Sequence, residues 1–123
     1  MKKIDRKHAV AGQFYTADAI ELKNEVETYL KNAKKINNST VLGVVSPHAG
    51  YIFSGKIAAK AIKQIDETKE YENIFVIGLS HRKHLKGAAV YNIGEYEMPG
   101  FNMEVNIDLC NELIEKCQFI EFD

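Results

Sequence analysis

Apolar positions recur at three- and four-residue steps through Leu22, Val26, Tyr29, Leu30 and Ala33, with Lys23, Asn24, Glu27 and Lys31 between them. That spacing puts the apolar set on one stripe of a helix, so the chain from about Ala19 to Ala33 is expected to be helical and to cover a sheet. Asp18 stands where an N-cap side chain satisfies free amides of the first turn, and Glu21 where a reciprocal partner reaches back.

Ile36-Asn37-Asn38-Ser39 signals a turn, and Val41-Leu42-Gly43-Val44-Val45 is then an apolar run without alternation. Such a run suits a short strand buried on both faces. It stops at Ser46-Pro47, where proline removes a ladder donor. Helical spacing resumes from Ser54 through Ile57, Ala58, Ala61, Ile62 and Ile65, and a second continuous run, Asn73-Ile74-Phe75-Val76-Ile77-Gly78, follows Tyr71-Glu72. Strand, helix, strand at this spacing predicts a βαβ unit with parallel strands and a right-handed crossover. The expected fold class is α/β, a partial open sheet with a parallel βαβ core flanked by helices.

Further on, a third strand is expected at Gly87 to Tyr91 and an irregular stretch from Ile93 to Phe101. A short amphipathic helix follows from Ile107 through Cys110, Leu113, Ile114 and Cys117, and Phe119 to Phe122 reads as the start of another strand. No repeat, low-complexity tract or linker marks a second domain, and the ending reads as cut rather than completed. Cys110 and Cys117, the only cysteines, are read as two buried thiols on one helix face, neither a disulfide nor a metal pair.

Composition narrows the function. With 123 residues, 46% hydrophobic and 27% charged, the chain is that of an ordinary globular domain. A formal net charge of -1 gives no field to draw in nucleic acid or an anionic membrane. The lysines at Lys2-Lys3, Lys34-Lys35 and between Lys83 and Lys86 lack an aromatic stacking platform and are read as solvated edges. No stretch approaches the roughly 20 apolar residues of a membrane span, and the start lacks a signal-peptide core, so a cytoplasmic protein is expected.

Both apolar runs are followed at once by a histidine: Ser46-Pro47-His48-Ala49-Gly50-Tyr51 after the first, Leu79-Ser80-His81-Arg82-Lys83-His84 after the second. In an open parallel sheet, ligands bind beyond the carboxyl ends of the strands. Neighbouring strands lie about 4.8 Å apart, so His48 and His81 could converge on one ion roughly 2.0 to 2.2 Å from each imidazole nitrogen. Taken singly, each histidine suits a hydrogen bond to a backbone carbonyl better than a ligand role, and it is the pair that points to a metal. Pro47 stiffens the approach to His48, and Gly50 allows a positive φ if the turn requires one. Ser46, Tyr51 and Ser80 are candidate pocket-lining residues, with Tyr51 read more readily as a packed aromatic than as a residue that orients His48 or a substrate. His84, beside Arg82 and Lys83, and His8, near the start, are left outside the site. The Gly-x-Ser-x-Gly of a serine hydrolase is absent around Ser46, and no nucleotide-cofactor motif is present. No catalytic residue is assigned.

Arg6 with Ala11-Gly12-Gln13-Phe14-Tyr15, then Ser46 to Tyr51 with Ser54-Gly55, then Ile77-Gly78-Leu79-Ser80-His81, stand in the order and approximate spacing of the Memo family (AmmeMemoRadiSam system protein B), which the chain resembles over nearly its whole length. The resemblance implies the N-terminal part of a single Memo-like domain over residues 1–123, similar in fold to class III extradiol dioxygenases (LigB-like). It also implies that His48 and His81 match two family metal-ligand positions. Further family ligands, a cysteine among them, lie in later sequence, and neither Cys110 nor Cys117 stands at that position. The family's usual Tyr-x-Thr-Pro-Leu-Gly reads here as Tyr96-Glu97-Met98-Pro99-Gly100-Phe101.

Two functions are compatible with this reading. One is metal-dependent chemistry on iron or copper, with zinc also accepted by imidazole ligands, of a redox or dioxygenase-like kind in the complete protein. The other is a non-catalytic module that holds a peptide or small ligand in the same strand-end pocket. Radical-SAM-associated system proteins are implied partners, and a sheet edge left open is a route to homo-oligomers.

Overall fold

Asp18 starts the first helix as its spacing requires. The computed structural model describes residues 2–36 and 38–123. Helix α1 runs Ala19–Asn32, and the Asp18 carboxylate accepts the Glu21 amide at 2.8 Å. The reciprocal half of the expected cap is absent: the Asp18 amide donates to Thr16 Oγ1 at 3.2 Å, and the same hydroxyl donates to Glu21 at 2.9 Å. Thr16 thus takes the place of a direct return bond from Glu21.

The chain divides into two compact units, His8–Glu70 and Met1–Lys7 with Tyr71–Asp123. The first is helical. In it α1 packs on α2, Tyr51–Ile62, which begins three residues ahead of the expected Ser54. Leu22, Ala33 and Ala59 form its buried apolar core. Gly55 makes the approach close: a Cβ there would lie 2.7 Å from the Tyr29 ring.

The second unit carries the strands. Strand β1, Ala88–Val90, pairs in parallel with β4, Ile120–Phe122, with Ala88 opposite Ile120 and Val90 opposite Phe122. Between them lie a hairpin of β2, Tyr96–Met98, and β3, Phe101–Met103, and then helix α3, Ile107–Lys116. Asn106 caps α3 by accepting the Leu109 amide at 3.0 Å. Residues near the start join this unit: Ile4 donates to Ile93, Arg6 to Glu95, and Glu97 back to Arg6, at 2.7 to 2.9 Å. Tyr91, 8% exposed, is its most buried aromatic.

The fold is α/β, with three helices and small parallel and antiparallel sheets among the described residues. Its parallel pair is not the expected one. Residues 41–45 and 73–78 form no strand, and Leu42 and Ile77 are 98% and 94% exposed. A run suited to burial on both faces is a strand only with ladder partners and cover, and neither run has them among the described residues. The parallel connection instead links β1 to β4 through the hairpin and α3. The stretch expected to be irregular holds the β2–β3 hairpin, turned at Pro99-Gly100 with Gly100 at φ 88°. The turn expected at Ile36 to Ser39 includes Asn37, outside the described residues. Cys110 and Cys117 are free and half-buried rather than buried, and Cys117 is the C-cap of α3.

Candidate functional site

The segment after His48 is clamped by the turn at residues 11–15. Gly12, at φ 81°, adopts a conformation side chains resist, and its amide donates to the Tyr15 carbonyl at 2.6 Å. The amides of Gln13 and Phe14 both donate to Val10, at 3.0 and 2.9 Å. This turn presents the Phe14 carbonyl, which accepts the Tyr51 amide at 2.8 Å. Gly50 sits at φ -53°, so a positive φ is not what it supplies. It supplies space, since a Cβ there would lie 3.4 Å from the Phe14 oxygen.

Tyr51 is half-buried with its ring centroid 5.5 Å from that of Tyr15. Burial first, and then Tyr15 and Glu25, hold its phenol above the ordinary tyrosine range, so it stays a protonated donor at neutral pH. Ser54 is buried and donates to the Ala49 carbonyl at 3.0 Å. Residues 49 to 51 are therefore fixed on either side of a tight bend, while His48 itself is exposed. Ser46 is half-buried, and its hydroxyl donates to the adjacent Pro47 carbonyl at 3.2 Å.

In the other unit, Ser80 closes a bend. Its hydroxyl donates to the Lys83 carbonyl at 2.6 Å and accepts the Lys83 amide at 3.2 Å. His81, Arg82, Lys83 and His84 lie exposed on that bend. Lys83 Nζ lies 4.0 Å from an Asp123 oxygen. His8, in the helical unit, is exposed.

His48 and His81 belong to different compact units. Among the described residues, no three His, Cys, Asp or Glu side chains gather as a metal-binding set. Two imidazoles fall short of the three or four protein donors such ions take. The residues present thus do not fit a complete metal site. One cleft of about 180 Å³ is lined by residues including Leu30, Lys35, Ile62 and Ile65, and one of about 330 Å³ by residues including Lys3, Asn92 and Asn111. Neither includes Ser46, Tyr51 or Ser80. No helix among the described residues is long and apolar enough to cross a membrane.

What the spacing missed is the support around His48: Phe14 as carbonyl acceptor of the clamp, Tyr15 as ring partner of Tyr51, and Ser54 as anchor of Ala49. The one local signal was Gly12, in a segment otherwise marked only by resemblance.

The sequence profile described as Memo-like protein matches residues 6–123. A MEMO1 family protein of Methanopyrus kandleri is 32% identical over 128 residues, covering 98% of this chain and 45% of the relative. One of Saccharomyces cerevisiae is 34% identical over 110 residues, covering 86% of this chain and 32% of the relative. One of Methanococcus maripaludis is 33% identical over 127 residues, covering 96% and 44%. The chain thus spans less than half the length of these curated relatives.

Proposed function

The chain belongs to the Memo family, and from that premise we propose that it contributes His48 and His81 as two ligands of a histidine-based metal site. The observation that carries the reading is the clamp beside His48, where the Phe14 carbonyl holds the Tyr51 amide at 2.8 Å. It joins the two segments that mark the family in sequence, Ala11 to Tyr15 and Pro47 to Tyr51, and makes a rigid base next to an exposed imidazole. Ligand positions work best on backbone that is already ordered. His81 enters by its place in sequence, directly after the second apolar run and on a bend closed by Ser80.

The remaining donors come from outside these residues. Iron or copper is the expected metal and zinc is compatible; an iron or copper ion bound there would supply a centre for binding or reducing dioxygen. Tyr51, held protonated, is proposed as a hydrogen-bond donor at the rim of that centre. Ser46 and Ser80 are proposed as rim residues as well. The finer fold that accompanies this reading is an extradiol-dioxygenase-like sheet within one Memo-like domain, with residues 41–45 and 73–78 as strands. A cytoplasmic setting and radical-SAM-associated partners belong to the same proposal.

A second reading is favoured by the finding that, among the described residues, no three His, Cys, Asp or Glu side chains gather as a metal-binding set: a module that binds a peptide or small ligand without turnover. Oxygen uptake by the intact protein separates the two. Uptake that depends on added metal and disappears in His48→Ala supports the metal centre. Metal-independent peptide binding retained in that variant contradicts it.

A further inference from the structure

Acidic and basic side chains are nearly balanced over the whole chain, 17 against 16, but not around the second histidine. Residues 73–94 contain Arg82, Lys83 and Lys86 and no aspartate or glutamate. Elsewhere a lysine can find its acid one helical turn away, as Lys23 does in Glu27 and Lys116 in Glu112. On the bend, Lys83 Nζ lies 4.0 Å from one Asp123 oxygen, while the other accepts from Arg6 at 2.6 Å. Among the described residues neither Arg82 nor Lys86 makes an ion pair, and both are exposed. A local excess of one charge draws in ligands of the opposite sign even where the whole chain is close to neutral.

This run of charge is more than a solvated edge, because its backbone is closed. The Ser80 hydroxyl donates to the Lys83 carbonyl at 2.6 Å and accepts the Lys83 amide at 3.2 Å, so Arg82 is carried on a fixed bend directly after His81. A guanidinium is a planar fork of donors that matches a carboxylate through two parallel hydrogen bonds. A phosphate dianion asks for a second charge and is commonly cradled by free backbone amides as well. Here the Lys83 amide and the Ser80 hydroxyl are spent on each other, and the Lys83 ammonium is shared with Asp123. One free fork therefore suits one negative charge. We infer that Arg82 is a specificity residue that binds the carboxylate of a small organic acid beside His81, which names the substrate class of the site proposed above. Its place beside a metal rests on that reading; the binding of the carboxylate does not.

The test is an amide NMR titration of the 123-residue chain with benzoate, its neutral isostere benzamide, and phenyl phosphate, at constant ionic strength with chelator present throughout. The expected result is saturable shifts centred on residues 80–86 with benzoate, none with benzamide, and weaker binding of phenyl phosphate. Arg82→Ala is expected to weaken benzoate binding at least about tenfold. Arg82→Lys, which keeps the charge and loses the fork, recovers less than half of that loss on a logarithmic scale. Lys60→Ala, an equal change of charge in the helical unit, leaves binding unchanged and so separates the fork from net charge. His81→Ala binds benzoate as the parent chain does, so failure of the metal reading leaves this result standing. Specific metal uptake in a chain that binds no benzoate overturns this inference and leaves the metal reading intact. Benzamide shifting the same amides, benzoate binding retained in Arg82→Ala, or phenyl phosphate binding more tightly than benzoate also overturns it.

Discussion

Arg6 and Asp123, 117 residues apart, meet at 2.6 Å through the guanidinium and a carboxylate oxygen. The same guanidinium lies 5.8 Å from the Tyr91 ring centroid and 5.6 Å from that of Tyr96. One side chain thus ties the first residues of the chain to β2 and to the residue after β4. The bond to Asp123 strengthens the charged form of Arg6, which stays cationic at every accessible pH. Both partners are partly exposed, so screening reduces the ion pair, and the two ring contacts carry much of the effect. Arg6→Ala is expected to lower stability by about 1–2 kcal/mol in urea unfolding. Arg6→Lys, keeping the charge but losing the planar fork, recovers less than half of that.

Acid acts on the same edge. The hydrogen bonds from Lys3 and Asn102 hold the Glu95 carboxyl below the ordinary glutamate range, and Lys3 is correspondingly raised. A carboxyl depressed on folding stabilises above its unfolded value, and the contribution is lost as pH falls through the folded one. The pairing of residues 4–6 with 93–97 should therefore loosen at pH values below the ordinary glutamate range. In Lys3→Ala, an NMR titration of Glu95 should move up toward an unpaired glutamate; an unchanged midpoint contradicts the assignment.

Gly55 and Tyr29 are coupled by space. A Cβ at residue 55 meets the Tyr29 ring at 2.7 Å, and that ring is held by hydrogen bonds from its hydroxyl to Glu25 at 2.9 Å and the Tyr51 carbonyl at 3.4 Å. Helix propensity favours alanine over glycine by about 1 kcal/mol, while overpacking costs about 1–3 kcal/mol. Gly55→Ala is expected to be net destabilising in the native background. In Tyr29→Ala the same change should become stabilising, and thermal unfolding of the four proteins reads the sign reversal.

Gly100 turns the β2–β3 hairpin at φ 88°. Gly100→Ala should cost about 1–2 kcal/mol and raise amide exchange at Met98 and Phe101, whose residues face each other across the turn. Unchanged exchange and stability would show that the turn does not depend on the left-handed conformation.

Local rules reached some of this fold and stopped where pairing begins. Helix α1 was legible from its stripe and from Asp18, and α3 from Ile107 onward, because periodicity and caps act within a few residues. The hairpin at Tyr96–Met103 was missed although Pro99-Gly100 is a turn dipeptide, since short strands with half-exposed faces show little alternation. Residues 41–45 and 73–78 have strand composition, yet a strand exists only with partners that composition does not name. The site divides the same way. Pro47 and Gly50 marked the rigid approach to His48, whereas the Phe14 carbonyl that clamps Tyr51 comes from 37 positions earlier in the sequence and leaves no local trace.

The most direct test of the proposed site is metal content and affinity of the purified protein under reducing conditions, compared with His48→Ala and His81→Ala and with intact mass checked in each preparation. With the remaining donors supplied from outside residues 1–123, specific binding of iron, copper or zinc is expected, weakening at least about tenfold in each variant. Binding that survives both substitutions, or a folded protein that takes up no specific metal, would contradict it.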